Sequence, residues 1–118
     1  TFSVTEYIQR CSAEESAVSL QMEMNAAMSR YYWLYWRLYE TRVPKDEFSQ
    51  RFDGNGPLNS LLWLAMQLQL VTESANEYVL TERGAFWIHL MQNYYVLNYI
   101  DKVWSRSMRD AWPGRIEL

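Results

Sequence analysis

Leu70-Val71-Thr72-Glu73-Ser74-Ala75-Asn76-Glu77-Tyr78-Val79-Leu80-Thr81-Glu82-Arg83-Gly84 is the stretch whose reading decides the fold. Two short runs, 70–73 and 77–80, carry β-branched and aromatic residues around the small polar segment Ser74-Ala75-Asn76, the pattern of a hairpin. Thr81 then offers the side chain of a helix N-cap, and Glu82 sits where the positive end of a helix favours an acid. The order read here is strand, turn, strand, helix.

Working back toward the N-terminus, Pro57 opens a helix to about Gln69 with a broad apolar set: Leu58, Leu61, Leu62, Ala65, Met66 and Leu68. Trp63 lies off that stripe. Asp53-Gly54-Asn55-Gly56 is a turn, and before it comes a helix over 45–52, begun by Val43-Pro44 with Asp46 and Glu47 in its first turn. Its Phe48 and Phe52 point inward. Upstream again, 26–42 reads as helix, with Ala27, Tyr31, Leu34 and Leu38 on one stripe and Tyr32, Trp36 and Tyr39 on a second. Arg30, Arg37 and Glu40 form a thin polar edge. A helix–turn–helix followed by a two-stranded wing is the order of a winged-helix domain. The expected class is mainly α with a small β-hairpin, winged-helix-like, with a long C-terminal helix.

That last helix is expected over 82–111, stopping at Pro113-Gly114. Phe86, Leu90, Leu97, Ile100, Trp104 and Met108 form its main core stripe, and Ile88, Tyr95, Tyr99 and Val103 add another. Residues 84–100 are uncharged but contain His89, Gln92, Asn93 and Asn98 and are shorter than a membrane span, so they read as a buried or partner-covered helix. Residues 1–25 are the least periodic and are expected to be an arm or linker from an upstream domain, with 26–118 the domain itself. Within the arm, Tyr7-Ile8 anchors a short helix or extended segment, and Ser12-Ala13-Glu14-Glu15 looks like a helix start.

At 118 residues with a net charge of −3, the chain has room for one core and no overall basic field to attract nucleic acid or anionic lipid. Its single cysteine, Cys11, excludes an internal disulfide and any multi-cysteine metal or iron–sulfur site within this segment. No signal peptide is visible, and a reduced, cytoplasmic setting is expected. Thr1 in place of Met fits a piece of a longer protein, although Met removal before Thr is also common processing. Aromatic residues make up 16% of the chain, six of them Trp, more than so small a core readily hides.

Candidates for chemistry are few. His89 is the lone histidine and has no Cys or carboxylate at ligand spacing, so a satisfied helical histidine explains it. Cys11 has no base beside it in sequence and reads as a half-buried thiol. Glu14-Glu15, Asp46-Glu47 and Glu73/Glu77 are carboxylate pairs, but all fall at helix starts or beside a turn. No phosphate loop or nucleophilic triad is present, and no catalytic, cofactor-binding or metal residue is assigned. DNA binding needs cations for phosphates and base edges. From Gly54 to Thr72 there is not one charged residue, and the wing carries Glu73 and Glu77, so no specific DNA binding is expected.

The series helix, Pro-led turn, Phe48…Phe52-Asp53, helix, Leu70-Val71, hairpin and Tyr78-Val79-Leu80-Thr81-Glu82-Arg83-Gly84 resembles the C-terminal domain of oxygen-independent coproporphyrinogen III oxidase-like radical S-adenosylmethionine enzymes, including haem-utilisation relatives. Tyr7-Ile8-Gln9-Arg10 is similar to the connection that leaves the catalytic barrel in those proteins. The likeness covers about residues 7–100. It departs at Gln69, where the family often has Gly as a left-handed helix cap, at Phe52-Asp53-Gly54 in place of Phe-Gly, and in the extended helix from Phe86 to Trp112. The resemblance implies an accessory domain that packs on an upstream barrel of the same polypeptide and helps cover a tetrapyrrole substrate. It implies an iron–sulfur cluster and S-adenosylmethionine in that barrel and none in this segment. The other reading is a winged-helix transcriptional regulator, or a protein-interaction module that dimerises through its aromatic helix.

Trp36 and Tyr39 on the first long helix, and Trp87, Tyr95 and Tyr99 on the last, lie off the core stripes. They are the candidate interface or substrate-facing residues, and through them the isolated domain is expected to self-associate.

Overall fold

The computed structural model describes residues 3–114 and residue 116. Contacts gather the chain into two units, one of residues 24–92 and one of residues 1–23 with 93–118.

In the 24–92 unit, α2 (Ala26–Tyr39) is capped by the Asn25 side chain, which accepts from the Met28 N–H at 2.9 Å. It is followed by β1 (Arg42–Pro44), α3 (Lys45–Phe52) and α4 (Gly56–Gln67). Then come β2 (Val71–Glu73), β3 (Glu77–Leu80) and the start of α5 (Glu82–Tyr99). The mainly helical class with a small antiparallel sheet and a long C-terminal helix is what the sequence led one to expect. The sheet, however, has three strands in the order β1-β3-β2, with Arg42 opposite Val79 and Val71 opposite Leu80. Residues 42–44, read from the sequence as the end of one helix and the approach to the next, are this third strand. Three residues are too few to show a period of two, and Pro44 is tolerated because β1 is an edge.

Helix α2 stops at Tyr39 because Thr41 turns left-handed (φ 65°), its N–H donating to the Leu38 carbonyl at 3.1 Å and its own carbonyl accepting from the Leu80 N–H at 2.9 Å. Helix α4 likewise stops two residues short of Gln69. Gln69 has φ 56°, its N–H bonds to the Met66 carbonyl and the Leu70 N–H to the Ala65 carbonyl, the paired closure of a Schellman motif.

The core of this unit is Leu34, Val43, Phe48, Phe52 and Val71, with Trp33, Leu38, Leu58, Leu62 and Tyr78 partly buried against part of it. Phe48 and Phe52 face inward as expected, their rings 5.3 Å apart. The stripe read along α2 holds at Leu34 and Leu38, while Tyr31 is exposed and accepts at its hydroxyl from Asn55.

The rotation of α5 differs from the sequence reading. Phe86, Leu90, Leu97, Trp104 and Met108, traced as the core stripe, are exposed, and the buried positions on α5 are Gly84 and Gln92. One contact sets this rotation. A Cβ on Gly84 would lie 1.9 Å from the Leu70 carbonyl oxygen, so that oxygen occupies the space where any other residue has a side chain. Thr81 completes the joint: its hydroxyl donates to the Gln69 carbonyl at 2.9 Å and accepts from the Gly84 N–H at 3.1 Å, while its own N–H donates to Leu70 at 3.0 Å. With Gly84 pinned to the end of the hairpin, Phe86 and Leu90 turn away.

The second unit contains α1 (Val4–Ser12), capped by Ser3. Ser12 to Glu15, expected to start a helix, instead end one: Glu14 is left-handed (φ 56°) and the Glu15 N–H reaches back to the Arg10 carbonyl. The helix expected over 82–111 is α-helical to Tyr99, π-helical over Ile100–Trp104, and α-helical again over α6 (Ser105–Arg109). Trp112 binds α1, its indole N–H donating to Glu6 at 3.1 Å and its ring lying 3.8 Å from the Arg10 guanidinium. Among the described residues of this unit, only Ser107 and Pro113 are buried.

Candidate functional site

The five aromatic candidates are all at the surface: Trp36 is 42% exposed, Tyr39 55%, Trp87 50%, Tyr95 59% and Tyr99 41%. Trp36 and Tyr39 are neighbours on α2, with ring centres 5.7 Å apart. Trp87 stands on α5 at a cavity of about 310 Å³. The cavity is walled by α2 (Leu34, Leu38), α4 (Leu58, Leu61, Leu62, Ala65), the sheet (Val43, Val71, Leu80) and α5 (Ile88, Met91). Tyr95 and Tyr99 belong to the other unit, where they line a hollow of about 140 Å³ with Asn98 and Lys102.

His89 is held structurally. Its Nε2 lies 3.1 Å from the Tyr39 carbonyl at the last residue of α2, and its ring packs 5.4 Å from that of Tyr39. The carbonyls of a helix's final turn have no partner within the helix, so a histidine from another helix is a sound cap. One turn further along α5, Gln92 Nε2 donates to the Tyr35 carbonyl at 2.8 Å, while its Oε1 is buried without a hydrogen-bond partner. Cys11 is exposed rather than half-buried. Its hydrogen bond with Tyr7 pushes the Tyr7 phenol above the ordinary tyrosine value. No group of three His, Cys, Asp or Glu is placed to hold a metal among the described residues.

One or both members of each carboxylate pair meet a cation: Glu15, Glu47, Glu73 and Glu77 lie in ion pairs. Glu73 meets Lys45 at 2.7 Å and Glu77 meets Arg42 at 3.1 Å, so two cations beside the wing are each paired with an acid. Lys45 also donates to the Ser74 carbonyl in the hairpin turn. Glu47 accepts from the Trp33 indole at 3.1 Å and lies 3.6 Å from Arg51. Helix α4, in the position of a recognition helix, has no charged residue in its sequence Gly-Pro-Leu-Asn-Ser-Leu-Leu-Trp-Leu-Ala-Met-Gln.

The sequence reading passed over one cleft. Along the outer side of α2, Arg30, Trp33, Trp36, Arg37 and Glu40 line, with Arg51 from α3, a depression of about 400 Å³. The Arg51 guanidinium lies 4.7 Å over the Trp33 ring, and Arg30 Nη1 donates to the Arg51 carbonyl at 3.3 Å. Arg37 pairs with Glu40 at 2.9 Å. The Nε–H groups of both Arg37 and Arg51 are shut off from solvent and donate to nothing. Arg30 and Arg37 at a spacing of seven, with Trp33 between, was the available signal; Arg51 could be placed only by the fold.

Compared with family models, with curated proteins and with solved structures, the chain matches none. No helix among the described residues is long and apolar enough to cross a membrane.

Proposed function

We propose that this chain is the accessory, substrate-covering C-terminal domain of a radical S-adenosylmethionine oxidoreductase that acts on a tetrapyrrole. One observation supports it most: the 24–92 unit buries only five apolar side chains, while Trp36, Tyr39, Trp87, Leu61, Trp63 and Met91 are all exposed at its surface. Apolar surface on this scale marks a face that another body covers. In this reading the cover is the upstream barrel of the same polypeptide, and a flat tetrapyrrole lies near the exposed aromatic rings. Cys11 alone cannot supply the three thiolates of a radical-enzyme cluster, so the cluster and S-adenosylmethionine belong to the barrel. This chain contributes no catalytic residue.

The test is the polypeptide that contains this segment. Its reading frame is expected to encode Cys-x-x-x-Cys-x-x-Cys upstream of residue 1, and the purified protein to bind iron and form 5′-deoxyadenosine when supplied with a tetrapyrrole. A start codon immediately before residue 1, or a longer protein that binds no iron, overturns the proposal.

The order of elements favours one second reading, a winged-helix regulator. Against it stand the uncharged α4 and the acid-paired Lys45 and Arg42 at the wing. The expected outcome of a duplex DNA titration at physiological salt is therefore no specific binding. Sub-micromolar, sequence-dependent affinity with the steep salt dependence of phosphate contacts would restore the regulator.

A further inference from the structure

We propose that the cleft between α2 and the end of α3 is a binding site for a planar aromatic carboxylate. The site is independent of the tetrapyrrole reading, since it is complete within residues 24–92.

Two features of the cleft define the ligand. One is cationic: Arg30, Arg37 and Arg51 line the cleft, against the single lining acid Glu40. The other is aromatic: Trp33, Trp36 and Tyr32 line it among those arginines, Trp36 and Tyr32 exposed and Trp33 beneath the Arg51 guanidinium. A guanidinium is a planar fork that matches a carboxylate in two parallel hydrogen bonds, and one arrangement of that fork uses Nε–H with a terminal NH2. The unpartnered Nε–H groups in the described structure include those of Arg37 and Arg51, both at this cleft. Donors shielded from water and left unpaired are costly. The two side chains are 33% and 40% exposed, so their heads can turn to meet an oxyanion. Their present carboxylate partners, Glu40 at three residues and Glu47 at four, are surface pairs of small net strength that an entering carboxylate can displace.

The aromatic lining selects what carries the carboxylate. Indole and phenol faces stack on a flat ring and gain little from a bare ion. A phosphate would find the cations but not use the walls. The cleft, at about 400 Å³, falls in the range of small-molecule sites.

The probe is 2-naphthoate, followed by the indole N–H signals of Trp33 and Trp36 and the Nε–H signals of Arg37 and Arg51 in nitrogen-15 spectra of the full chain. Saturable shifts at these four groups are expected, and Arg37→Gln should weaken binding about tenfold or more, the effect of a lost charge-assisted bond. Arg37→Lys, which keeps the charge and loses the fork, should weaken it nearly as much. Unchanged far-ultraviolet dichroism in both variants separates loss of the site from loss of the fold. Three results each overturn the site: no saturable shift up to the solubility limit, equal affinity for neutral 2-naphthalenemethanol, or inorganic phosphate binding as tightly as 2-naphthoate. Full affinity in Arg37→Lys overturns the role assigned to the fork.

Discussion

Gly84 is the residue on which the most depends. Its missing side chain is the only reason that the Leu70 carbonyl can sit where it does, and that carbonyl in turn accepts from Thr81. A methyl group at 1.9 Å from a backbone oxygen cannot be absorbed by a rotamer change; the hairpin end or the helix must move. Gly84→Ala is expected to destabilise the chain by about 3 kcal/mol or more, read from urea unfolding, although Ala is the better helix former by about 1 kcal/mol. A neutral or stabilising Ala would show that the helix and hairpin do not meet as described. The string Thr81-Glu82-Arg83-Gly84 was legible in the sequence as a cap, but the reason for its glycine was not. Sequence shows that a residue without a Cβ is present, and only the fold shows which atom fills the space. The same limit hid the arginine cleft. Arg30 and Arg37 declare themselves along one helix, whereas Arg51 reaches Trp33 from α3, a separate element.

The helices share an unusual habit at their ends. Glu14, Thr41 and Gln69 each take the left-handed conformation that closes a helix, and none is a glycine. An L-residue there costs about 1–2 kcal/mol, part of which Gly gives back through its greater freedom when unfolded. Gln69→Gly is therefore expected to stabilise by about 0.5–1 kcal/mol, measured as a shift in the urea midpoint without change of slope. Leu68→Gly is the control, because Leu68 has φ −80° and gains nothing from glycine; it should destabilise. Equal effects of the two would remove the left-handed cap as an explanation. Most element types and the hairpin itself could be read from caps, prolines and periodicity. The third strand could not, being only Arg42–Pro44. Nor could the rotation of α5, since a helix apolar nearly all round offers no polar face to orient it.

At the scale of the molecule, the exposed aromatics have a measurable consequence. Trp87 stands half exposed at the apolar cavity, with Leu61 and Met91 exposed on the same cavity's lining. A large side chain left in water forgoes about 1.5–3 kcal/mol of burial, so the isolated chain should self-associate as its concentration rises. Trp87→Glu should weaken that association in sedimentation equilibrium without loss of helical signal. Monomers of wild type throughout the millimolar range would mean that these rings attract nothing, and the covered-domain proposal would lose its main support. The π-helical turn at Ile100–Trp104 carries a different consequence, visible in how the chain tolerates losing a residue. Deleting one position from an ordinary helix swings all that follows by about 100°, because each residue advances the spiral by that angle. A π turn already holds a surplus residue, so removing exposed Lys102 should let the backbone close into plain α-helix with Ser107 still facing inward. Deletion of Lys102 is thus expected to keep the wild-type melting temperature within a few degrees, whereas deletion of Met91, inside α5, should lower it steeply. In this stretch the chain carries slack of one residue, and a frame-preserving loss of three nucleotides there restores a simpler helix.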